Sequence, residues 1–257
     1  MTLDPLVDAG ALKAALVGPG RLFTDIRCVP TTGSTNADLA EAARRGAPSG
    51  SVLISDHQSA GRGRFERRWE APPGSSLAIS VLFRPDRVPL HRWLWLPLVT
   101  GVAVADGLQE AAAVNAEVKW PNDVLIGGRK VCGILAERLD DAAVIGLGIN
   151  TTLSADQLPV TSATSLLLAG SRATATQVAL GVLEALERTY RLWTSEEDLR
   201  DWYGRRCATV GREVRVMQSA TRHVDGRAAG VDSSGRLLVW TPSGERAFAA
   251  GDVLHLR

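Results

Sequence analysis

The segment SAGRGRFERRWE (59–70) sets four arginines, Arg62, Arg64, Arg67 and Arg68, within seven residues, offset only by Glu66 and Glu70. Gly61 and Gly63 alternate with them, so the backbone can approach a ligand closely while guanidinium groups fork around it. That combination suits an anion, a phosphate or a carboxylate. Trp69 adds an aromatic face able to stack on a base, although a tryptophan beside a strand also serves as core. A solvated arginine-rich loop remains open on these residues alone.

A second group lies in KWPNDVLIGGRKVCGILAE (119–137). Asn122 and Asp123 follow a proline that fixes a turn, so both side chains can point into a cleft. Asp123 could hold a magnesium ion or accept a proton; an Asn-Asp turn closing its own backbone bonds is the alternative. Lys130 enters an apolar strand, VCGIL, where an ammonium needs an anionic partner or a route to solvent. Gly133 removes a side chain where something must pass close to the backbone. In TTGSTNADLA (31–40), Ser34, Thr35 and Asn36 open a helix. Capping uses one or two of them and leaves donors and acceptors for a neutral polar ligand. GLGIN (146–150) ends a strand at Asn150, a residue type commoner in turns than in sites.

Elements to position these groups can be read from periodicity. Ser34 to Arg45 reads as a helix with Gly46 as its stop. SVLISD (51–56) and SLAISVLF (76–83) read as strands, the second apolar on both faces and therefore central in a sheet. A helix is predicted from about Leu90 to Ala112, with Pro97 as a kink or N-terminal marker. EVKW, VLI and KVCGILAERL follow as short strands, the last two forming a hairpin over Gly127–Gly128. AVIGLGIN (143–150) is a buried strand, and 174–193 has a helical period. From about Arg206 only short strands remain, EVRVM, RAAGVD, RLLVW, RAFAA and DVLHL, separated by VDG, SSG and PSG turns. The expectation is helices packed on one mixed sheet over residues 1–205, followed by a small SH3-like β-barrel over 206–257.

Composition narrows the classes. At 257 residues, 45% hydrophobic and 22% charged, the chain matches a globular protein with room for a core. The weakly polar run from Leu94 to Ala105 is too short for a span of about 20 residues. Asp4 and Asp8 precede the first base, Lys13, the reverse of a secretory signal. Cys28, Cys132 and Cys207 are widely spaced and make no CxxC, which points to a reducing, cytoplasmic setting without disulfides or a zinc site. A net charge of +1 argues against a surface built wholly for nucleic acid. The C-terminal stretch carries eight arginines against five acids, compatible with an acidic partner and equally with a solvated domain. Of 29 basic residues only Lys13, Lys119 and Lys130 are lysines. Arginine-codon bias accounts for the trend, and the pair at 119 and 130 raises the question of what arginine cannot do there.

Taken together, GSTN (33–36), DHQSAGRGR (56–64) with Trp69, KWPND (119–123), GRKVCGILAE (128–137) and GIN (148–150) resemble the biotin protein ligase family in order and spacing. The resemblance spans nearly the whole chain. It implies an α+β fold of the class II aminoacyl-tRNA synthetase type with an SH3-like C-terminal domain. It implies activation of biotin with ATP, Mg2+ accompanying the ATP, and transfer from biotinyl-5′-adenylate to a lysine of a biotin carboxyl carrier domain. Monomer and weak homodimer both stay open.

By the same resemblance Ser34, Thr35, Asn36, Gln58 and Arg64 would line the biotin head pocket, with Gly133 beside it. Gly61, Arg62 and Gly63 would shape the loop closing over the intermediate. Lys130 would contact the reacting carboxyl and phosphate oxygens, a bridging role that suits a compact ammonium better than a guanidinium. Trp69 would stack on adenine. Arg64, Arg67, Asn122, Asp123 and Asn150 would face the nucleotide. Lys130, Arg62, Arg64 and Asp123 are the expected catalytic set, Asp123 as proton acceptor in transfer; no resident metal site is expected.

Two departures stand out. The family loop usually carries a third glycine where this chain has Glu66, which bears on loop closure or adenylate lifetime. Val131–Cys132 replaces a commoner Leu-Ala. The DNA-binding form of the family needs about 60 residues ahead of the catalytic domain; GSTN begins here at 33, so the form without it, and no nucleic-acid partner, is expected. Lipoate ligases share the chemistry but carry an RRxSGGG-like loop absent here. A non-catalytic biotin sensor is the alternative from another class, and the intact arginine loop and Lys130 argue against it.

Overall fold

The computed structural model describes residues 6–65, 67–219 and 221–256. Glu66, the departure noted in the loop, lies outside the described residues.

The first element, α1 (Ala9–Leu16), is capped by Asp8, which accepts from the Ala11 amide. Strand β1 (Asp25–Val29) leads to α2 (Thr35–Arg44), whose N-cap is Ser34. Gly46, at φ 88°, takes the left-handed position after it, as its composition predicts. β2 (Ser51–Ser55) enters the arginine-rich loop, which folds back as two short strands, β3 (Gly61–Arg62) and β4 (Arg68–Trp69). β5 (Ser76–Phe83) is buried at all eight positions.

A 3-10 turn, Leu90–Leu94, precedes α3 (Trp95–Ala112). Pro97 therefore sits in the first helical turn, where its missing amide costs nothing. β6 (Ala116–Lys119), β7 (Asp123–Ile126), β8 (Arg129–Arg138) and β9 (Ala143–Asn150) form a meander. Next come α4 (Ala175–Ser195), opened by a Thr174/Gln177 capping box, and the short α5 (Arg200–Gly204). No helix among the described residues is long and apolar enough to cross a membrane.

The main sheet runs β1-β2-β5-β9-β8-β7-β6, with β1 and β2 parallel and the other pairs antiparallel. Its two faces differ. Ile79, Val81 and Phe83 of β5, Cys132 and Ile134 of β8 and Leu147 and Ile149 of β9 join the large core that includes residues of α3 and α4. The α2 face holds a small cluster around Leu39, Leu82 and Val144. Beyond that cluster this face carries Ser80, Gly133, Gly146 and Gly148, small residues at strand positions that alternate with the aliphatic ones. The cleft lies there.

The remaining strands, β10 (Glu213–Met217), β11 (His223–Val231), β12 (Leu237–Thr241), β13 (Gly244–Phe248) and β14 (Asp252–His255), form a second, antiparallel sheet in the order β13-β12-β11-β10-β14. The sequence predicted a barrel. The five SH3-like strands are present, but β13 and β14 are its edges and do not pair, so the barrel is not closed. Two buried tryptophans seat this sheet on the first: Trp95 Nε1 donates to the Ser233 carbonyl (2.8 Å) and Trp120 Nε1 to that of Gly235 (3.1 Å).

Candidate active site

One cleft gathers most of the residues that the sequence singles out. Ser34, Thr35, Asn36, Gln58, Arg62, Gly63, Arg64, Arg67, Arg68, Trp69, Asn122, Asp123, Lys130 and Gly133 all line it. Gly61 is set back and lines an adjoining recess. A Cβ there would lie 2.4 Å from the Trp69 carbonyl, so the β3–β4 pairing needs glycine at that place.

The floor is made by missing side chains. A Cβ on Gly148 would stand 2.6 Å from the Trp69 ring, and one on Gly146 only 2.2 Å from Asn36 Oδ1. The Trp69 indole thus lies against bare backbone, and its Nε1 is buried with no partner among the described residues. Glycine alternation in GLGIN now has a cause: Gly146 and Gly148 face the cleft while Leu147 and Ile149 face the core.

Lys130 reaches the cleft through an irregularity. Strict alternation would put it on the same face as Cys132 and Ile134, in the apolar core. The β7–β8 register pairs Val124 with Cys132 but Leu125 with Lys130, so β8 carries one extra residue, Val131. This bulge turns Lys130 onto the cleft face. Its Nζ lies 2.6 Å from Asp123 Oδ1, and its stem crosses Gly133, where a Cβ would come within 2.9 Å of Nζ. The anionic partner that an entering lysine needs is therefore Asp123. Lys130 is also held by its backbone, donating to the Ser162 carbonyl (2.8 Å) and accepting from the Thr164 amide (2.8 Å).

The arginines have fixed partners. Arg64 donates to Asn122 Oδ1 (2.7 Å) and toward the Gly251 carbonyl (3.4 Å). Burial, opposed by Asp252 and Asp123, lowers its pKa. Arg67 is ion-paired with Asp252, and Arg62 with Glu137 (3.0 Å). Asn122 Nδ2 in turn donates to the Ile134 carbonyl (3.0 Å). Lys119, opposite Asp123 in the β6–β7 register, has its pKa lowered chiefly by burial.

Asn150 is not brought to the cleft wall. It is buried at the end of β9, and its Nδ2 donates to the Thr164 carbonyl (2.9 Å). It supports the segment that grips Lys130. Six lining residues were not among the expected site residues: Ile134, Leu135, Gly146, Leu147, Gly148 and Asp252. Ser80 and Glu137, which bond to lining residues, were not among them either. Asp252 is distant in sequence, and Ser80 is a single hydroxyl between the apolar residues of β5. The β8 alternation that places Gly133 and Leu135 on the cleft face could have placed Glu137 as well.

No group of three or more His, Cys, Asp or Glu residues able to hold a metal occurs among the described residues. Asp123 and Asp252 are each engaged by a cation, Lys130 and Arg67 respectively.

Comparison with known proteins bears directly on this cleft. The Biotin/lipoate A/B protein ligase family model matches residues 28–150, and the Biotin protein ligase C terminal domain model matches 209–256. The biotin–[acetyl-CoA-carboxylase] ligase of Mycobacterium tuberculosis is 39% identical, over 99% of this chain and 98% of that protein. The chain belongs to the biotin protein ligase family. A second member, the bifunctional ligase/repressor BirA of Bacillus subtilis, is 31% identical over 94% of this chain and 76% of its own length. Among solved biotin protein ligases, that of Aquifex aeolicus in complex with biotin and ATP superposes with a TM-score of 0.78, at 26% identity, over 91% of this chain and 100% of that one. Family membership accounts for both sheets.

Proposed function

We propose that this family member is a biotin–[acetyl-CoA-carboxylase] ligase. It activates biotin with MgATP and transfers it to a lysine of a carboxylase carrier domain. The observation that carries the reading is the convergence of Lys130, Arg62, Arg64 and Arg67 on one cleft floored by bare glycines beside the N-terminal turn of α2.

In the first step a biotin carboxylate oxygen attacks the α-phosphorus of ATP, the bond to the β-phosphate oxygen breaks, and pyrophosphate leaves. The nucleophile is already ionised, so no base is needed. The enzyme must hold two anions together and neutralise charge as it redistributes. Lys130 is placed for this by its bulge, and Asp123 parks its ammonium until phosphate oxygens replace the carboxylate. Arg64 and Arg67 add fixed cations. The polar turn of Ser34, Thr35 and Asn36, with Gln58, offers donors and acceptors to the neutral ureido ring. Trp69 presents a ring face to an adenine, and Asn122 orients Arg64. Asn150 acts from behind, through the 162–166 segment.

In the second step the carrier's amine attacks the acyl carbon, AMP leaves, and one proton must be lost from the amine. Asp123, released from Lys130, is the acceptor in this reading. Residues 1–205 form the catalytic domain and 206–257 the appended one. Free Cys28, Cys132 and Cys207 suit the reducing cytoplasm. Ahead of β1 lies α1, packed on α4.

The test is ATP–pyrophosphate exchange with biotin or lipoate, followed by label transfer to a carrier domain. Exchange with biotin alone is expected. Exchange with lipoate alone would place the chain among lipoate ligases, and exchange with neither would make it a binding protein.

A further inference from the structure

Glu137, on β8, stands outside every role assigned above, yet one of its oxygens joins two walls of the cleft. Oε2 accepts from Asn36 Nδ2 (2.7 Å) and from the Arg62 guanidinium (3.0 Å). Asn36 belongs to α2 and Arg62 to the arginine loop, so a single carboxylate oxygen ties the loop to the helix.

The orientation of the whole wall follows from that oxygen. A carboxylate only accepts, so the Asn36 amide must turn its Nδ2 toward Glu137 and its Oδ1 toward Ser80, 2.6 Å away. Ser80 has one hydroxyl hydrogen and must give it to Asn36. The Thr35 hydroxyl lies 2.7 Å from Ser80 Oγ and 3.0 Å from Gln58 Oε1, with one hydrogen for the two, while the Thr35 amide donates to Gln58 Oε1 (2.8 Å). Gln58 is left with its Nε2 free of these bonds. The chain of contacts leaves the loop at Gln58, crosses α2, β5 and β8, and returns to the loop at Arg62.

We propose that Glu137 is a positioning residue that latches the arginine loop closed over the ligand and sets the donor–acceptor polarity of the biotin wall. It touches neither substrate and acts through Arg62 and Asn36. The inference rests on the biotin reading above.

Glu137→Gln keeps an acceptor for Asn36 but loses the charge that holds Arg62. The pair is partly exposed, with side chains 47% and 28% accessible, so the effect is modest, about two- to fivefold. In ligand-free protein, trypsin should cleave after the loop arginines about that much faster than in wild type, at unchanged melting temperature. In exchange assays the KM for biotin should rise by a similar factor while kcat holds. Arg62→Leu combined with Glu137→Gln should be no worse than Arg62→Leu alone.

Additive effects, or a Glu137→Gln protein with wild-type loop cleavage and KM, would overturn the proposal. Wild-type protein lacking exchange with biotin would instead remove the functional reading. The loop-cleavage comparison needs no ligand and separates the two failures.

Discussion

Lys130 Nζ and Asp123 Oδ1 lie 2.6 Å apart across a bulge that interrupts the β7–β8 register. Ground-state ion pairing of the central cation with the carboxylate means that neither group is idle before substrate arrives. It also means that each is unmasked only when the other moves. Substrate phosphates can displace the carboxylate because they offer more charge to the same ammonium.

Replacing Lys130 separates charge from shape. Lys130→Met should lower the rate of ATP–pyrophosphate exchange by about 10²–10³-fold, the usual cost of removing a group that stabilises developing charge. Lys130→Arg should recover little of it, since a planar fork paired with Asp123 is not a mobile point charge. Full recovery by arginine would show that charge alone suffices.

Asp123→Asn tests the second step. Supplied with preformed biotinyl-adenylate, this variant should transfer biotin about 10²-fold more slowly, the scale of a lost general base. An undiminished transfer rate would remove Asp123 as proton acceptor.

The bare floor makes two alanine substitutions informative. Gly146→Ala drives a Cβ to within 2.2 Å of Asn36 Oδ1 and should cost about 1–3 kcal/mol of stability as overpacking, measurable by denaturant titration, with a raised biotin KM. Gly148→Ala displaces the Trp69 ring instead and should appear as altered tryptophan fluorescence and weaker nucleotide binding. Wild-type emission from Gly148→Ala would place the ring elsewhere.

The junction between the sheets predicts a pH dependence. The Trp120 amide donates to Thr209 Oγ1 (3.1 Å), so the hydroxyl hydrogen is free to be given to His255 Nε2, 3.1 Å away. That bond needs a neutral imidazole. Burial, then the nearby Lys119 and Arg212 cations, lower the His255 pKa from 6.5 to about 4. Below pH 6.5 the unfolded chain binds a proton that the native state refuses, so stability is full above that pH and falls as pH drops toward 4. The denaturation midpoint should decline between pH 7.5 and 5, and His255→Gln should flatten the decline. An equally steep curve in the variant would locate the titration elsewhere.

Much of this was legible in the residues. The uniform apolarity of 76–83 announces a central strand, the Ser34 cap and Gly46 bracket α2, and the glycine turns after Arg206 mark five short strands. Other parts depend on pairing that no local pattern encodes. The two-residue strands β3 and β4 have no period to detect. Lys130 has the wrong parity for the cleft until the bulge is known, and the bond of Asn150, which the resemblance set beside the nucleotide, to Thr164 of an irregular segment leaves no local sequence signal. The open edge between β13 and β14 depends on where two strands end, which turn signals do not specify.

The anchoring of Arg64 and Arg67 by Gly251 and Asp252 has a consequence for how the enzyme comes into being. The Gly251 carbonyl lies 187 positions beyond Arg64. During synthesis, the main sheet and the rest of the cleft can form while that tether, Asp252 included, is still inside the ribosome. A nascent chain would hold Lys130 and Asp123 beside a loop lacking its distal mooring, and only the finished fold fixes Arg64 and Arg67 at the cleft wall.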